Sequence, residues 1–275
     1  MSVGVATSAR ASVGVSAGAA QAEFTLNILH INDFHSRIEA INKFDSTCTA
    51  EDAAENGCFG GVGRLKTKID ALRGEITAAG GHGIAVACDH ADDAAVEALF
   101  AQVMAEQGRV DLLVNNAAAI YDELMHPGGF WEKPLSNLEM WEVGVRSNYV
   151  AAWHAAQIMV PQRSGLIVAI SGFAATTYTY GVIFGTSKTA VGRMSRDMAV
   201  ELKPHNVAAL TLWQGLTMTE KAKDNFAKMA GKMTASITNQ KGSSVEHPGR
   251  VIAALATGLI PPEAEFVNAD LHEAA

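Results

Sequence analysis

Val110-Asp111-Leu112-Leu113-Val114-Asn115-Asn116-Ala117 decides the fold. Val110 to Val114 is a short, mostly apolar run that stops on two asparagines. It is too short for a buried helix and reads as a buried strand. Outward from it the same pattern repeats. Upstream, Gly83-Ile84-Ala85-Val86-Ala87-Cys88 runs into Asp89. Downstream, Leu166-Ile167-Val168-Ala169-Ile170 runs into Ser171, and Val207 to Trp213 runs into Gln214. Helix-like stretches lie between the runs. After Asp92, a candidate N-cap, Val96, Leu99, Phe100 and Val103 recur on one helix face until Gly108 stops it. Further helices are predicted from about Asn137 to Met159 and from Thr186 to Leu202. Alternating strands and helices imply an α/β fold with a mostly parallel sheet and helices on both faces. Unbroken apolar strands agree, because such strands are covered on both sides.

The residues that end the strands are the first functional signal. Asp89, Asn115, Asn116, Ser171 and Gln214 each directly follow an apolar run. Ligands of open α/β sheets bind just outside the carboxyl ends of the strands. Asn and Asp also make turns there, but several such ends in register favour a binding rim. Lys188 is the second signal. It sits in the first turns of the helix after Ser171, between the small residues Gly185-Thr186-Ser187 and Thr189-Ala190. A lysine there can bind ribose hydroxyls and acidify a neighbouring hydroxyl, or it can be a solvated surface residue.

Composition narrows the function classes. The 275 residues carry a net charge of −8, which argues against binding a phosphate backbone. No apolar run approaches the roughly 18–20 residues needed to span a bilayer. The three cysteines, Cys48, Cys58 and Cys88, do not form a disulfide framework. Cys48 and Cys58 are a candidate pair, and Cys88 reads as a small core residue. Residues 1–22 are rich in Ala, Gly, Ser and Val and end in Ala20-Gln21-Ala22. They read as a low-complexity tail or a signal-like segment. A cytoplasmic location is expected over export, because the basic start is nearly absent and the apolar stretch is diluted.

Asn115-Asn116-Ala117 after a strand, Ser171 after the next, Lys188, and Gln214-Gly215 with Thr219 together resemble the short-chain dehydrogenase/reductase pattern. Phe130-Trp131-Glu132, Met159-Val160-Pro161 and Ser164-Gly165-Leu166-Ile167-Val168 add to it. They are similar to the branch of dehydrogenase/reductase member one and its bacterial relatives. The resemblance covers 71–260 and implies a Rossmann-like, doubly wound fold that uses NADP or NAD. It also implies oxidoreduction of a small carbonyl or alcohol substrate by a homo-oligomer. By resemblance, Asp89 contacts the adenine ring, Asn115, Asn116 and Ala117 line the cofactor, and Ser171 orients the substrate carbonyl. Lys188 binds the nicotinamide ribose, while Gly215 and Thr219 hold the nicotinamide end.

The departures bear on activity. The family's catalytic Tyr stands four residues before the Lys; here Phe184 occupies that position and has no proton to give. Gly144 stands where many members carry an Asn, and Gln214 replaces a Pro. Tyr178 and Tyr180 lie on the loop before the helix, so neither is expected to replace the missing phenol.

The front departs more. Residues 23–70, with Leu26-Asn27-Ile28-Leu29-His30-Ile31-Asn32-Asp33-Phe34-His35, resemble the amino terminus of exported 5′-nucleotidases of the metallophosphoesterase fold. Asp33 and His35 match that family's Asp-x-His, but its later ligand motifs are absent, so no metal site is expected. Gly57, Gly61 and Gly63 have the spacing of a phosphate turn. The polar residues before them are not a strand, so the spacing reads as a surface turn. The chain therefore reads as a chimera: tail 1–22, nucleotidase-like 23–70, and dehydrogenase-like 71–275. Its amino-terminal part is expected to be atypical or incomplete and its catalysis impaired. A non-catalytic nucleotide-binding domain and a phosphohydrolase fragment are the alternative functions.

Overall fold

The computed structural model describes residues 3–9, 26–31, 41–42, 49–54, 58–59, 70–71, 73–78, 80–119, 128–215, 217, 244, 247–258 and 266–268. The chain divides into two compact units, Met1–Val110 and Asp111–Ala275.

In the first unit, β1 (Val3–Ala9) pairs antiparallel with β2 (Leu26–Ile31) and with β5 (His82–Ala87). Val3–Ala9 thus forms a strand within the segment whose composition suggested a tail. A short pair, β3 (Ile41–Asn42) and β4 (Cys58–Phe59), flanks α1 (Ala50–Ala54) in sequence. After β5 comes α2 (Asp93–Gln107). Its start is the expected one: the Asp92 carboxylate accepts the Ala94 N–H at 3.0 Å. Its end is Gly108, whose φ of 73° suits a residue without a Cβ. Val96, Leu99, Phe100 and Val103 are buried, as their spacing requires. Cys88 is buried and free.

The second unit holds β6 (Leu112–Asn115), β7 (Gly165–Ser171), β8 (Val207–Trp213) and β9 (Phe266–Asn268), each parallel to the next. Leu112 to Asn115 are all buried, as are Leu166 to Ser171. Successive strand residues point to opposite faces, so unbroken burial means that both faces are covered. α3 (Ser147–Gln162) packs on β6 and β7, and α4 (Val182–Leu202) packs on β7 and β8. α5 (His247–Ala256) buries Val251 and Leu255. The fold is α/β, with a parallel sheet and helices packed on it. The antiparallel β1 is what makes the amino-terminal part atypical.

The helix expected from Asn137 is not uniform. It opens as a 3-10 turn (Leu135–Leu138) and an α turn (Glu139–Trp141), then a π turn (Glu142–Arg146) leads into α3. Gly144 sits inside the π turn, where the Ser147 hydroxyl donates to the Val143 carbonyl and the Asn148 amide donates to the Gly144 carbonyl at 2.7 Å. These side chains compete for the helix's own acceptors, which gives the widened turn a local cause.

Candidate functional site

β7 delivers Ser171 to the end of its run, at a register position opposite Trp213 of β8. Ser171 is 4% exposed, and its hydroxyl donates to the main-chain carbonyl of Lys188 at 3.0 Å. That bond ties the strand end to the second turn of α4. The loop after β7 then runs along the same helix. Thr189 Oγ1 donates to the Ala175 carbonyl at 2.7 Å, and a Cβ at Gly185 would sit 3.3 Å from the Ala174 carbonyl oxygen. Small residues around Lys188 therefore serve close packing of this loop.

α4 starts at Val182, earlier than the sequence pattern suggested, so Phe184 lies in its first turn. Lys188 follows one turn later on the same face. Its Nζ lies 5.8 Å from the centre of the Phe184 ring. The residue is partly exposed, yet its ammonium is packed among protein atoms, and burial pushes Lys188 down to about 8. Among the described residues the ammonium has no carboxylate partner. Phe184 also meets the Tyr180 ring, edge-on at 5.4 Å and 72°.

Asn115 is 3% exposed at the end of β6. Its amide donates to the Asn148 carbonyl at 3.1 Å, latching the strand end to the start of α3. Its Oδ1, like that of Asn148, is buried without a hydrogen-bond partner among the described residues. Motif reading did not single out Asn148. A buried amide within one turn of Gly144 is the signal that marks it, and it shows only once the π turn is known.

The structure thus brings Ser171, Phe184 and Lys188 together. Ala117 is buried just past β6, beside Asn116 in sequence. Gly215 follows β8 with a φ of 68°. Asp89 lies in the first unit, where its carboxylate accepts the Ala91 N–H at 3.0 Å in a local turn. Thr219, Asp33, His35, Gly57, Gly61 and Gly63 lie outside the described residues. Among the described residues, no three His, Cys, Asp or Glu side chains are grouped to hold a metal.

The short chain dehydrogenase model matches residues 46–230. The chain belongs to the short chain dehydrogenase family. Family membership makes it a product of an NAD(P)-dependent oxidoreductase lineage. The match begins upstream of residue 71 and takes in Gly57, Gly61 and Gly63. The chain is 34% identical over 208 residues to dehydrogenase/reductase SDR family member 1 of Homo sapiens. That similarity covers 71% of this chain and 66% of the relative, so just under two thirds of the relative's length is spanned. A short-chain type dehydrogenase/reductase from Mycobacterium marinum shares the fold with a TM-score of 0.61, at 22% identity over 73% of this chain and 80% of that one. So does a Tyr-to-Phe variant of ElxO with NADPH bound, with a TM-score of 0.55, at 23% identity over 66% of this chain and 72% of that one.

The nicotinamide half of such a cofactor fits what the second unit presents. A buried ammonium without a carboxylate partner and a buried, unpartnered amide oxygen are groups that ribose hydroxyls and a carboxamide satisfy. The phosphate end has no such test among the described residues.

Proposed function

We propose that this chain is an NAD(P)-dependent oxidoreductase acting on a small carbonyl or alcohol. The observation that carries the reading is the hydrogen bond from the Ser171 hydroxyl to the Lys188 main-chain carbonyl, which ties a strand-end hydroxyl to the helix turn that bears Lys188. The bound nicotinamide supplies or accepts a hydride. Lys188 would hold its ribose, with Asn115, Asn116, Ala117 and Gly215 of the same unit available to the rest of the nicotinamide half. Ser171 holds the substrate oxygen. To donate to that oxygen, the hydroxyl must turn away from the Lys188 carbonyl that it meets in this structure. Phe184 packs on Lys188 and gives no proton, so turnover that relies on position 184 alone is slow.

NADPH bound to a Tyr-to-Phe variant of ElxO, and NADP bound to ElxO, support cofactor binding by a chain of this fold. Tyr149 and Trp153, one turn apart on α3, are 54% and 51% exposed and support a homo-oligomer. No helix among the described residues is long and apolar enough to cross a membrane, and a cytoplasmic location is the reading that the weak signal features support. The nucleotidase-like sequence of 23–70 supports a chimeric origin for the front.

Titration with NADPH and with NADH tests the reading. Binding is expected, and Lys188→Met is expected to weaken it about 10–100-fold, the worth of a charge-assisted hydrogen bond. If neither cofactor binds, the chain is a non-catalytic member of its family.

A further inference from the structure

Tyr180 carries two features that the proposed chemistry has not used. Its φ is +56°, a left-handed conformation that a bulky aromatic residue rarely adopts. The next residue, Gly181, has a φ of +99°. Successive positive-φ residues make a sharp turn at the mouth of α4, and that turn folds the Tyr180 ring back onto Phe184. Backbone strain of this kind persists where the surroundings enforce it, and it clusters at functional sites. Tyr178, on the same loop, has no such conformation and no ring partner among the described residues, and it is 81% exposed.

The two rings meet edge to face. Tyr180 lies edge-on to Phe184 at 5.4 Å, and Lys188 Nζ lies 5.8 Å from the Phe184 centre. Phe184 is thus in contact with both a tyrosine ring and an ammonium. Among the described residues the Tyr180 hydroxyl has no hydrogen-bond partner. The side chain is 45% exposed, so the phenol is open both to a ligand and to water. The loop that bears it starts at Ser171 and is pinned to α4 by Thr189.

We propose that Tyr180 is the proton donor of this site, a phenol displaced by one turn from position 184 and held there by the Tyr180–Gly181 turn and the Phe184 ring. This rests on the oxidoreductase reading above. In reduction, the carbonyl carbon gains a hydride from the bound nicotinamide, which is oxidised. The carbonyl oxygen gains the electron pair of the breaking C–O π bond and the Tyr180 proton as the phenol O–H bond breaks. Water then returns a proton to the phenolate, which its exposure permits. Phe184 acts as a positioning residue: its ring sets the angle of the donor.

The test compares wild type, Tyr180→Phe, Phe184→Tyr and Tyr180→Phe/Phe184→Tyr with NADPH over a panel of ketones and quinones. Cofactor affinity is measured separately for each by fluorescence. Tyr180→Phe keeps the ring and its packing and removes only the hydroxyl. The expected result is unchanged cofactor affinity and a kcat lower by about 10²–10⁴, the usual worth of positioned acid catalysis. The double variant is expected to recover rate, because the phenol is returned one turn away. Wild-type turnover that Tyr180→Phe leaves unchanged overturns the proposal. So does a wild type that binds cofactor but reduces nothing while Phe184→Tyr is active. Absence of cofactor binding in every variant instead brings down the oxidoreductase reading beneath it.

Discussion

The two units of this chain handle the same problem differently. Both place polar residues after apolar strands. In Asp111–Ala275 every described strand runs parallel to its neighbour, so the strand ends that carry Asn115, Ser171 and Trp213 point one way. In Met1–Val110, β1 runs antiparallel to both of its neighbours, β2 and β5. An antiparallel neighbour reverses the direction of its strand end, so β1 and β5 end at opposite edges of their pairing. A binding rim needs strand ends in register. The second unit meets that condition, and among the described residues β1 and β5 do not. The difference is one of strand direction: the single antiparallel strand β1 takes the first unit out of the pattern that the second keeps.

The comparison is sharpened most by Phe184→Tyr. If the second unit keeps a working proton-transfer face, the gain depends on what stands at 180. In the Tyr180→Phe background, restoring a phenol one turn from Lys188 is expected to raise kcat by about 10²–10⁴. In the wild-type background the gain is expected to be smaller, because a donor is already present. A double-mutant cycle on initial rates measures the difference, and equal gains in both backgrounds break the argument.

Stability offers the next contrast. Leu210 is 1% exposed in the middle of β8. Leu210→Ala is expected to cost about 2–5 kcal/mol in chemical denaturation, as large-to-small changes in closed cores do. Lys188 acts in the opposite direction. Burial lowers it to about 8 from 10.5, so the unfolded chain binds more protons between those values. The folded state pays fully for this charge below pH 8, and its stability rises as the pH climbs from 8 toward 10.5. Lys188→Met removes that cost and is expected to stabilise the apoprotein by about 1–3 kcal/mol at pH 7 while weakening cofactor binding. Thermal melts from pH 7 to 10 check both signs. A variant that loses both stability and affinity would make Lys188 a structural residue.

Legibility in the sequence divides along the same line. Val207–Trp213 and the buried face of α2 follow from periodicity alone, because burial repeats with the strand or helix period. Ser171, Phe184 and Lys188 are legible as a group because two of them share a helix face and the third ends the preceding strand. Three features are not legible. Val3–Ala9 is Ser- and Gly-diluted, and its order comes from pairing with distant strands rather than from its own composition. The π turn at Glu142–Arg146 adds one residue to a turn without changing the apolar pattern enough to show. The positive φ of Tyr180 is imposed by the turn into α4, and nothing in the residue's own preference announces it.

The smallest effect belongs to the first unit and tests whether its ordinary parts behave ordinarily. Asp92 caps α2 through the Ala94 N–H and also lies near Cys88, whose thiol is pushed up to about 11 by burial first, then by Asp89 and Asp92. The two roles separate by substitution. Asp92→Asn keeps an oxygen to accept the N–H, so the cap survives and stability is expected to change little. Asp92→Ala removes the acceptor and is expected to cost about 1 kcal/mol. Both remove the charge, yet Cys88 is expected to stay slow toward a thiol reagent in each, because burial is the leading cause and neither change exposes it. Denaturation curves and alkylation rates give the two readings independently. Fast alkylation in Asp92→Asn, with stability unchanged, would mean that charge rather than burial protects Cys88.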